Sequence, residues 1–318
     1  MTRQRPLAST AYNFPNLRAV YHGKVRDVYD FGDSLMMVAT DRYSAFDRNL
    51  AVVHSKGELL TAISRWWFEQ TAEIVPNHVK GYPDPNVTWC NKYEVVPIEM
   101  VVRGYITGVT TTSLWHAYQQ GQRDFGDFVL PEGLYKNAKL PAAVLTPTTK
   151  LEKHDRNLTP QQAVDEGLVS AAVWEKMKCI ALELFSFGQE TAAAKGLILV
   201  DTKYEFGLDG LGNLILIDEI HTPDSSRYWL AATYPQRIRD DEEPDYYDKE
   251  FLRLWFKERF DPYEDTEAPV PPDELLEELR NRYIYVYEHL LEKKFAPTAD
   301  GDLSSRIKRN IIAALETA

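Results

Sequence analysis

The sequence predicts an α+β fold of two lobes: a small, antiparallel, β-rich N-terminal lobe and a larger α/β lobe, followed by C-terminal helices. Three observations carry this expectation. Short apolar runs broken by turn residues crowd the first hundred or so positions, two runs of helical period at 171–195 and 273–294 suit packed helices, and 197–221 has strand character on both sides of a glycine-rich turn. With 318 residues, 44% hydrophobic and 26% charged, the chain can bury a sizeable core. The expected divisions are 1–102, 103–243 and 244–318.

Residues 1–20 are polar and marked by prolines, an ordered arm at most. The stretch 21–30, YHGKVRDVYD, then leads through Phe31, Gly32 and Asp33 into the apolar run 35–39, the pattern of strand, tight turn, strand. Gly23 lets backbone come close to a ligand, and Lys24 and Arg26 put positive charge beside it. The spacing is not that of a Walker A loop, and a purely structural turn fits the same residues. Residues 40–47, TDRYSAFD, suit either a functional loop at a strand end or a helix cap built by Asp41 and Ser44. Leu60, Ile63, Trp67 and Ile74 mark a helix over 57–74, ended by Pro76. After a polar loop at 77–91, the run 93–103, YEVVPIEMVVR, reads as a buried strand that could present backbone groups of Glu99 and Met100 to a purine.

Lys150, His154 and Asp155 belong to a polar island behind a proline-bearing loop. Helices follow at 160–166 and 171–195; in the second, Trp174, Met177, Ala181, Leu184 and Gly188 form one stripe, which marks core packing. Strand alternation over 197–206 puts Asp201, Lys203 and Glu205 on one face. If the hairpin folds symmetrically about Gly210 and Leu211, Lys203 lies roughly opposite Asp218, and three carboxylates meet a lysine. A ribbon with a solvated polar face fits the same pattern. Further on, 239–245 reads as a solvated connection, and helices are expected at 249–260 and 273–294, the latter capped by Asp273 with Leu276, Leu279, Tyr283, Val286, Tyr287 and Leu290 inward. Leu303, Ile307, Ile311 and Leu315 make the tail amphipathic, fit to dock on the body or on another subunit.

A net charge of −12 argues against broad nucleic-acid or anionic-membrane binding, so an anionic ligand must be held by a local cluster of bases. Two cysteines far apart, outside any metal spacing, read as free thiols in a reducing compartment. The first residues lack the apolar core of a secretion signal and no run is long enough to span a membrane, so the expected location is cytoplasmic.

Taken in order, GKVRD at 23–27, DRYSAFD at 41–47, VPIEMVVRG at 96–104, TPTTK at 146–150, DTKYEFG at 201–207 and DEIHTPDSSRYW at 218–229 resemble the SAICAR synthetase family over about residues 18–295. The resemblance implies an ATP-dependent ligase of purine biosynthesis, which joins L-aspartate to the carboxylate of carboxyaminoimidazole ribotide and releases ADP and phosphate. It implies Mg²⁺ on Glu205 and Asp218, with Lys203 beside them at the reacting centre. Gly23, Lys24 and Arg26 would lie over the ATP phosphates in a nucleotide-binding N-terminal lobe, with adenine against Glu99 and Met100. Arg103, Ser226 and Arg227 would hold the ribotide, its phosphate above all; Asp201 would face the ribose, and Lys150 and Asp155 would border the substrate site. The expected partners are these small molecules, and self-association is left open. Two features depart from the family pattern: Val109 stands where many members carry a phosphate-contacting serine, and the tail beyond 296 exceeds it. A kinase-like phosphotransferase or a non-catalytic nucleotide-binding module would share parts of the pattern, but the chain lacks an HRD-like catalytic loop and keeps its carboxylates.

Overall fold

The computed structural model describes residues 5–152, 156–298 and 302–317. The chain divides into two units, one comprising Met1–Trp66, His78–Lys92 and Tyr247–Ala318, the other Trp67–Asn77 and Tyr93–Tyr246.

In the first unit, strands β1 (Ala19–His22), β2 (Arg26–Asp30) and β3 (Ser34–Ala39) form a meander, while β4 (Arg42–Ala45) and β5 (Arg48–Val52) pair as a separate ribbon. Helix α1 (Lys56–Gln70) follows, and β6 (Val79–Asp84) with β7 (Val87–Asn91) completes a five-stranded antiparallel sheet in the order β1-β2-β3-β7-β6. Tyr29, Met36, Val38 and Val87 point from this sheet into a core that also takes in Leu7, Tyr12 and Phe14. The N-terminal stretch is therefore part of the core from Leu7 onward, because buried carboxylates give its backbone partners: Asp41 accepts from Leu7 N and Asp27 from Thr10 N, both at 2.8 Å. Asp41 also accepts from Gly57 N at 3.0 Å in the first turn of α1, whereas Ser44, expected to share in a cap, lies on strand β4. Burial raises the Asp41 carboxyl above its ordinary value.

The second unit is built on a six-stranded sheet of β8 (Glu94–Ile106), β9 (Ala138–Leu145), β10 (Thr148–Thr149), β11 (Leu197–Leu208), β12 (Leu214–Ile217) and β13 (Ser226–Leu230). The path is β10-β8-β11-β12, with β9 also on β8 and β13 also on β11. Helices α2 (Leu114–Gln119), α3 (Pro160–Asp165), α4 (Ala171–Ala194) and α5 (Tyr234–Arg239) accompany it. The expected stripe of α4 is buried, from Trp174 to Gly188. Helices α6 (Glu250–Lys257), α7 (Asp273–Leu291) and α8 (Leu303–Glu316) return to the first unit. There Leu252, Phe256, Leu279 and Tyr283 pack with Tyr43, Leu59 and Leu60, whereas Ile307 and Ile311 of α8 enter the core of the five-stranded sheet. The tail thus docks on its own chain. Among the described residues no helix is long and apolar enough to cross a membrane.

The mixed helices and antiparallel sheets bear out the expected α+β class. The divisions at 102 and 243 do not coincide with the observed units. Strand β8 pairs with β11 from Glu94 to Arg103, which carries the whole strand into the second unit, and the C-terminal helices contribute to cores of the first. Asp273 is the first residue of α7 rather than its cap, a place taken by Pro272. The hairpin centres on Leu211, with Leu208 opposite Leu214 and Glu205 opposite Ile217, half a residue from the symmetric expectation. The ladder stops at Ile217 because Asp218 turns away with φ of 65°.

Candidate active site

Alternation along β11 sends Asp201, Lys203 and Glu205 to one face of the sheet, and Thr202 and Tyr204 to the other. The flanking strands extend the first face. On β8, Glu99 stands opposite Glu205 and Arg103 opposite Asp201, while β13 sets Arg227 opposite Asp201 from the other side.

Two clusters result. In one, Lys203 Nζ donates to Glu99 Oε1 at 2.7 Å and to Glu205 Oε1 at 2.8 Å. Lys150 lies on the other oxygen of Glu205 and 3.9 Å from Glu99. Burial works against the Lys203 charge, but Glu205, Glu99 and Asp218 outweigh it and hold the ammonium well above its ordinary pKa. Glu205 is the mirror case. Burial would raise its pKa, and the Lys203 and Lys150 charges pull it below the ordinary value. In the second cluster Asp201 Oδ2 accepts from Arg227 Nη1 at 2.5 Å and from Arg103 Nη1 at 3.2 Å. Arg103 also donates to Thr146 Oγ1 at 2.8 Å and to Thr112 O at 3.3 Å, which fixes the plane of its guanidinium. Its burial lowers the pKa to about 10 against the pull of Asp201, so it remains a cation at neutral pH. Two guanidiniums on one carboxylate leave a net positive, preorganised surface suited to phosphate.

In the first unit, Gly23 N donates to Arg26 O at 2.8 Å, closing a tight turn. A Cβ on Gly23 would sit 2.9 Å from that oxygen, so glycine is required by the turn itself. The turn is held from behind by Arg42, which donates to Gly23 O and Asp27 at 2.8 Å and to Lys24 O at 3.1 Å. Lys24 is exposed and ion-paired with Asp47.

The sequence pattern of SAICAR synthetases matches residues 19–270. The chain belongs to the SAICAR synthetase family. A Legionella pneumophila (strain Paris) protein named phosphoribosylaminoimidazole-succinocarboxamide synthase is 51% identical over 292 residues, 92% of this chain and 94% of its own. A Saccharomyces cerevisiae SAICAR-synthase structure, complexed with SAICAR, superposes with a TM-score of 0.77 at 32% identity, covering 91% of this chain and 99% of that one. A type-2 SAICAR synthetase in complex with ADP gives 0.67 at 26%, covering 87% and 100%. The chain is therefore an enzyme of this ligase family, which acts in purine biosynthesis.

Against the positions that the SAICAR synthetase resemblance singled out, the structure brings Lys150, Lys203 and Glu205 together, and separately Arg103, Asp201 and Arg227. Asp218 acts on Lys203 through its charge. Ser226 is placed elsewhere: as the neighbour of Arg227 on a strand it faces the opposite side, where its Oγ lies 2.8 Å from Thr202 Oγ1. The reading of Glu99 and Met100 as backbone contacts for a purine also changes. Glu99 is paired with Thr148 on one side and Glu205 on the other, Met100 is fully buried, and it is the Glu99 carboxylate that enters the lysine cluster. The signal was present in the spacing, because Glu99 and Arg103 lie four apart on one strand and share a face. Thr112, Thr146 and Arg42 had no such signal, since each becomes useful only through a distant partner. Asp155, with His154, lies outside the described residues. A Cβ on Gly108, which has φ of 98°, would lie 3.1 Å from Arg227 Nη2, and Arg103 binds the same loop through the backbone oxygen of Thr112. Among the described residues no group of three or more His, Cys, Asp or Glu side chains is placed to hold a metal ion.

Proposed function

We propose that the protein condenses carboxyaminoimidazole ribotide with L-aspartate at the expense of ATP, giving SAICAR, ADP and phosphate. The observation that carries this reading is the presence, on one sheet face, of the doubly guanidinium-bound Asp201 and, two residues along the same strand, the Lys203 cluster with Glu99, Glu205 and Lys150. A ribotide offers a phosphate at one end and a carboxylate at the other, which matches the order of these clusters. Arg103 and Arg227 grip the phosphate, with Asp201 holding both guanidiniums in place and facing the ribose.

A carboxylate is a poor acyl donor. Transfer of the γ-phosphoryl group of ATP to a ribotide carboxylate oxygen forms an acyl phosphate and ADP; the aspartate amine then attacks the acyl carbon, the C–N bond forms, an amine proton is lost and phosphate departs with that oxygen. Lys203 and Lys150, both in ion pairs with Glu205, are placed to offset the negative charge that gathers on the transferring group. Glu205 and Asp218 would hold Mg²⁺, the ion taking the place of the lysine contacts that occupy both Glu205 oxygens; Mg²⁺ takes one or two protein carboxylates with phosphate oxygens and water, and so needs no cage of three acids. Bound there, the ion would neutralise phosphate charge. In the first unit, the turn of Gly23, Lys24 and Arg26 meets the ATP phosphates. Cys90 and Cys179 are not joined in a disulfide, which accords with a cytoplasmic setting.

The test is ADP release with ATP and Mg²⁺. Release that requires both the ribotide and aspartate, with SAICAR formed in equal amount, supports the ligase; release with unrelated hydroxyl acceptors and without aspartate overturns it.

A further inference from the structure

The face of β11 opposite the charged clusters carries an arrangement that the ligase reading leaves without a role. His221, fully buried, lies in the segment that leads from Asp218 to β13. Its Nε2 is 2.5 Å from the Tyr204 hydroxyl, and its backbone oxygen accepts from the Tyr228 hydroxyl at 2.7 Å. Tyr204 stands between Lys203 and Glu205, and Tyr228 directly follows Arg227. One residue therefore grips the reverse side of both strands whose front sides carry the clusters. Trp67 meets the imidazole edge-on at 4.5 Å between ring centroids. From α4, Gly188 makes room for it: a Cβ there would lie 2.4 Å from His221 Cε1 and 3.0 Å from Nδ1.

This arrangement is costly. His221 has φ of 50°, a left-handed conformation that L side chains rarely adopt. Its Nδ1 is buried with no hydrogen-bond partner, and a glycine in mid-helix weakens α4. Burial keeps the imidazole neutral, with a pKa lowered to about 3, so it is no proton carrier near neutral pH. An apolar ring would fill the volume without the unpaired nitrogen. What an apolar ring cannot do is bond to Tyr204, and because neighbouring strand residues point to opposite faces, fixing Tyr204 fixes Lys203 and Glu205.

We propose that His221 is a positioning residue, the ring that sets where Asp218 and Arg227 stand relative to Lys203 and Glu205. The proposal rests on the ribotide reading of the front face. A peg behind a site acts on distances, and a misplacement of about 1 Å is enough to weaken a preorganised site by up to about a hundredfold.

The test uses His221→Phe, Tyr204→Phe and Gly188→Ala, the last of which displaces the ring and leaves its chemistry unchanged. Each folded variant should bind the ribotide about tenfold more weakly by calorimetry, while ATP binding measured without Mg²⁺, and so independent of Asp218, stays within about twofold of the parent, a split that general loosening would not produce. Tyr204→Phe combined with His221→Phe should be no worse than His221→Phe alone, since both break one bond. Unchanged ribotide affinity in folded Tyr204→Phe and Gly188→Ala overturns the proposal even if His221→Phe fails to fold. A crystal structure of Gly188→Ala gives a reading independent of any ligand: the Asp218 carboxylate should be displaced relative to Lys203, and an unmoved Asp218 overturns the proposal. Failure of the unaltered protein to bind ribotide would instead count against the ligase reading.

Discussion

Glu99 and Glu205 stand directly opposite each other on neighbouring antiparallel strands, and the Lys203 ammonium lies 2.7 Å from one and 2.8 Å from the other. Like charges in that position repel. The lysine turns the repulsion into a bound triad, and its charge helps to hold the Glu205 carboxyl below its ordinary pKa.

Removing the acids should abolish turnover with the fold intact. Glu205→Gln and Asp218→Asn are each expected to lower kcat by about a hundredfold or more, on the scale of losing a charge-stabilising group. Circular dichroism and thermal melting should remain cooperative. Near-normal turnover in both variants would refute their assignment as the acids that serve the cation.

The lysine should matter to stability as well. Lys203→Met leaves Glu99 and Glu205 facing each other and should cost about 1–3 kcal/mol at neutral pH, between the values for exposed and buried pairs, because the Lys203 side chain is 31% exposed. The sign of the pH dependence follows from the two shifts. Glu205 is depressed in the fold, so its contribution is complete above the ordinary glutamate value of about 4.3 and fades as pH falls from there towards the folded value. Lys203 is raised, so its contribution is complete below the ordinary lysine value of about 10.4 and is lost as pH climbs through the folded value. Urea denaturation of parent and Lys203→Met should therefore give a constant difference between about pH 5 and 10, narrowing outside it. A difference that changes steadily across the neutral range would contradict the assignment.

Arg227→Ala should raise the ribotide KM by about tenfold or more and leave the ATP KM within about twofold, since it removes one of two guanidiniums on Asp201. Equal effects on both constants would place Arg227 away from the ribotide.

The tail helix should be needed for the first unit to stay folded. Arg306, 3% exposed by side chain, donates to both oxygens of the fully buried Asp84 at 3.0 and 3.1 Å and to Asn86 at 2.9 Å. Arg306→Ala leaves that buried carboxylate without its guanidinium, with donors only from Asn310 and Asn86 N, and should cost about 3–5 kcal/mol in urea denaturation. A loss below about 1 kcal/mol would mean that α8 is only loosely held.

Much of this was legible along the chain because it depends on local pattern. The 3.6-residue stripe of α4, the alternation that puts Asp201, Lys203 and Glu205 on one face, and the glycine turn before Leu214 are set by neighbours a few positions apart. Which base meets which acid is a different matter. The Glu99 carboxylate joined the Lys203 cluster, and Arg103 and Arg227 met Asp201, because of the cross-strand register of β8, β11 and β13. Register between strands about a hundred residues apart is chosen by how the whole sheet packs, and a slip of one position would send every side chain to the other face. The residues that carry chemistry were written locally; their partnerships were decided by the fold.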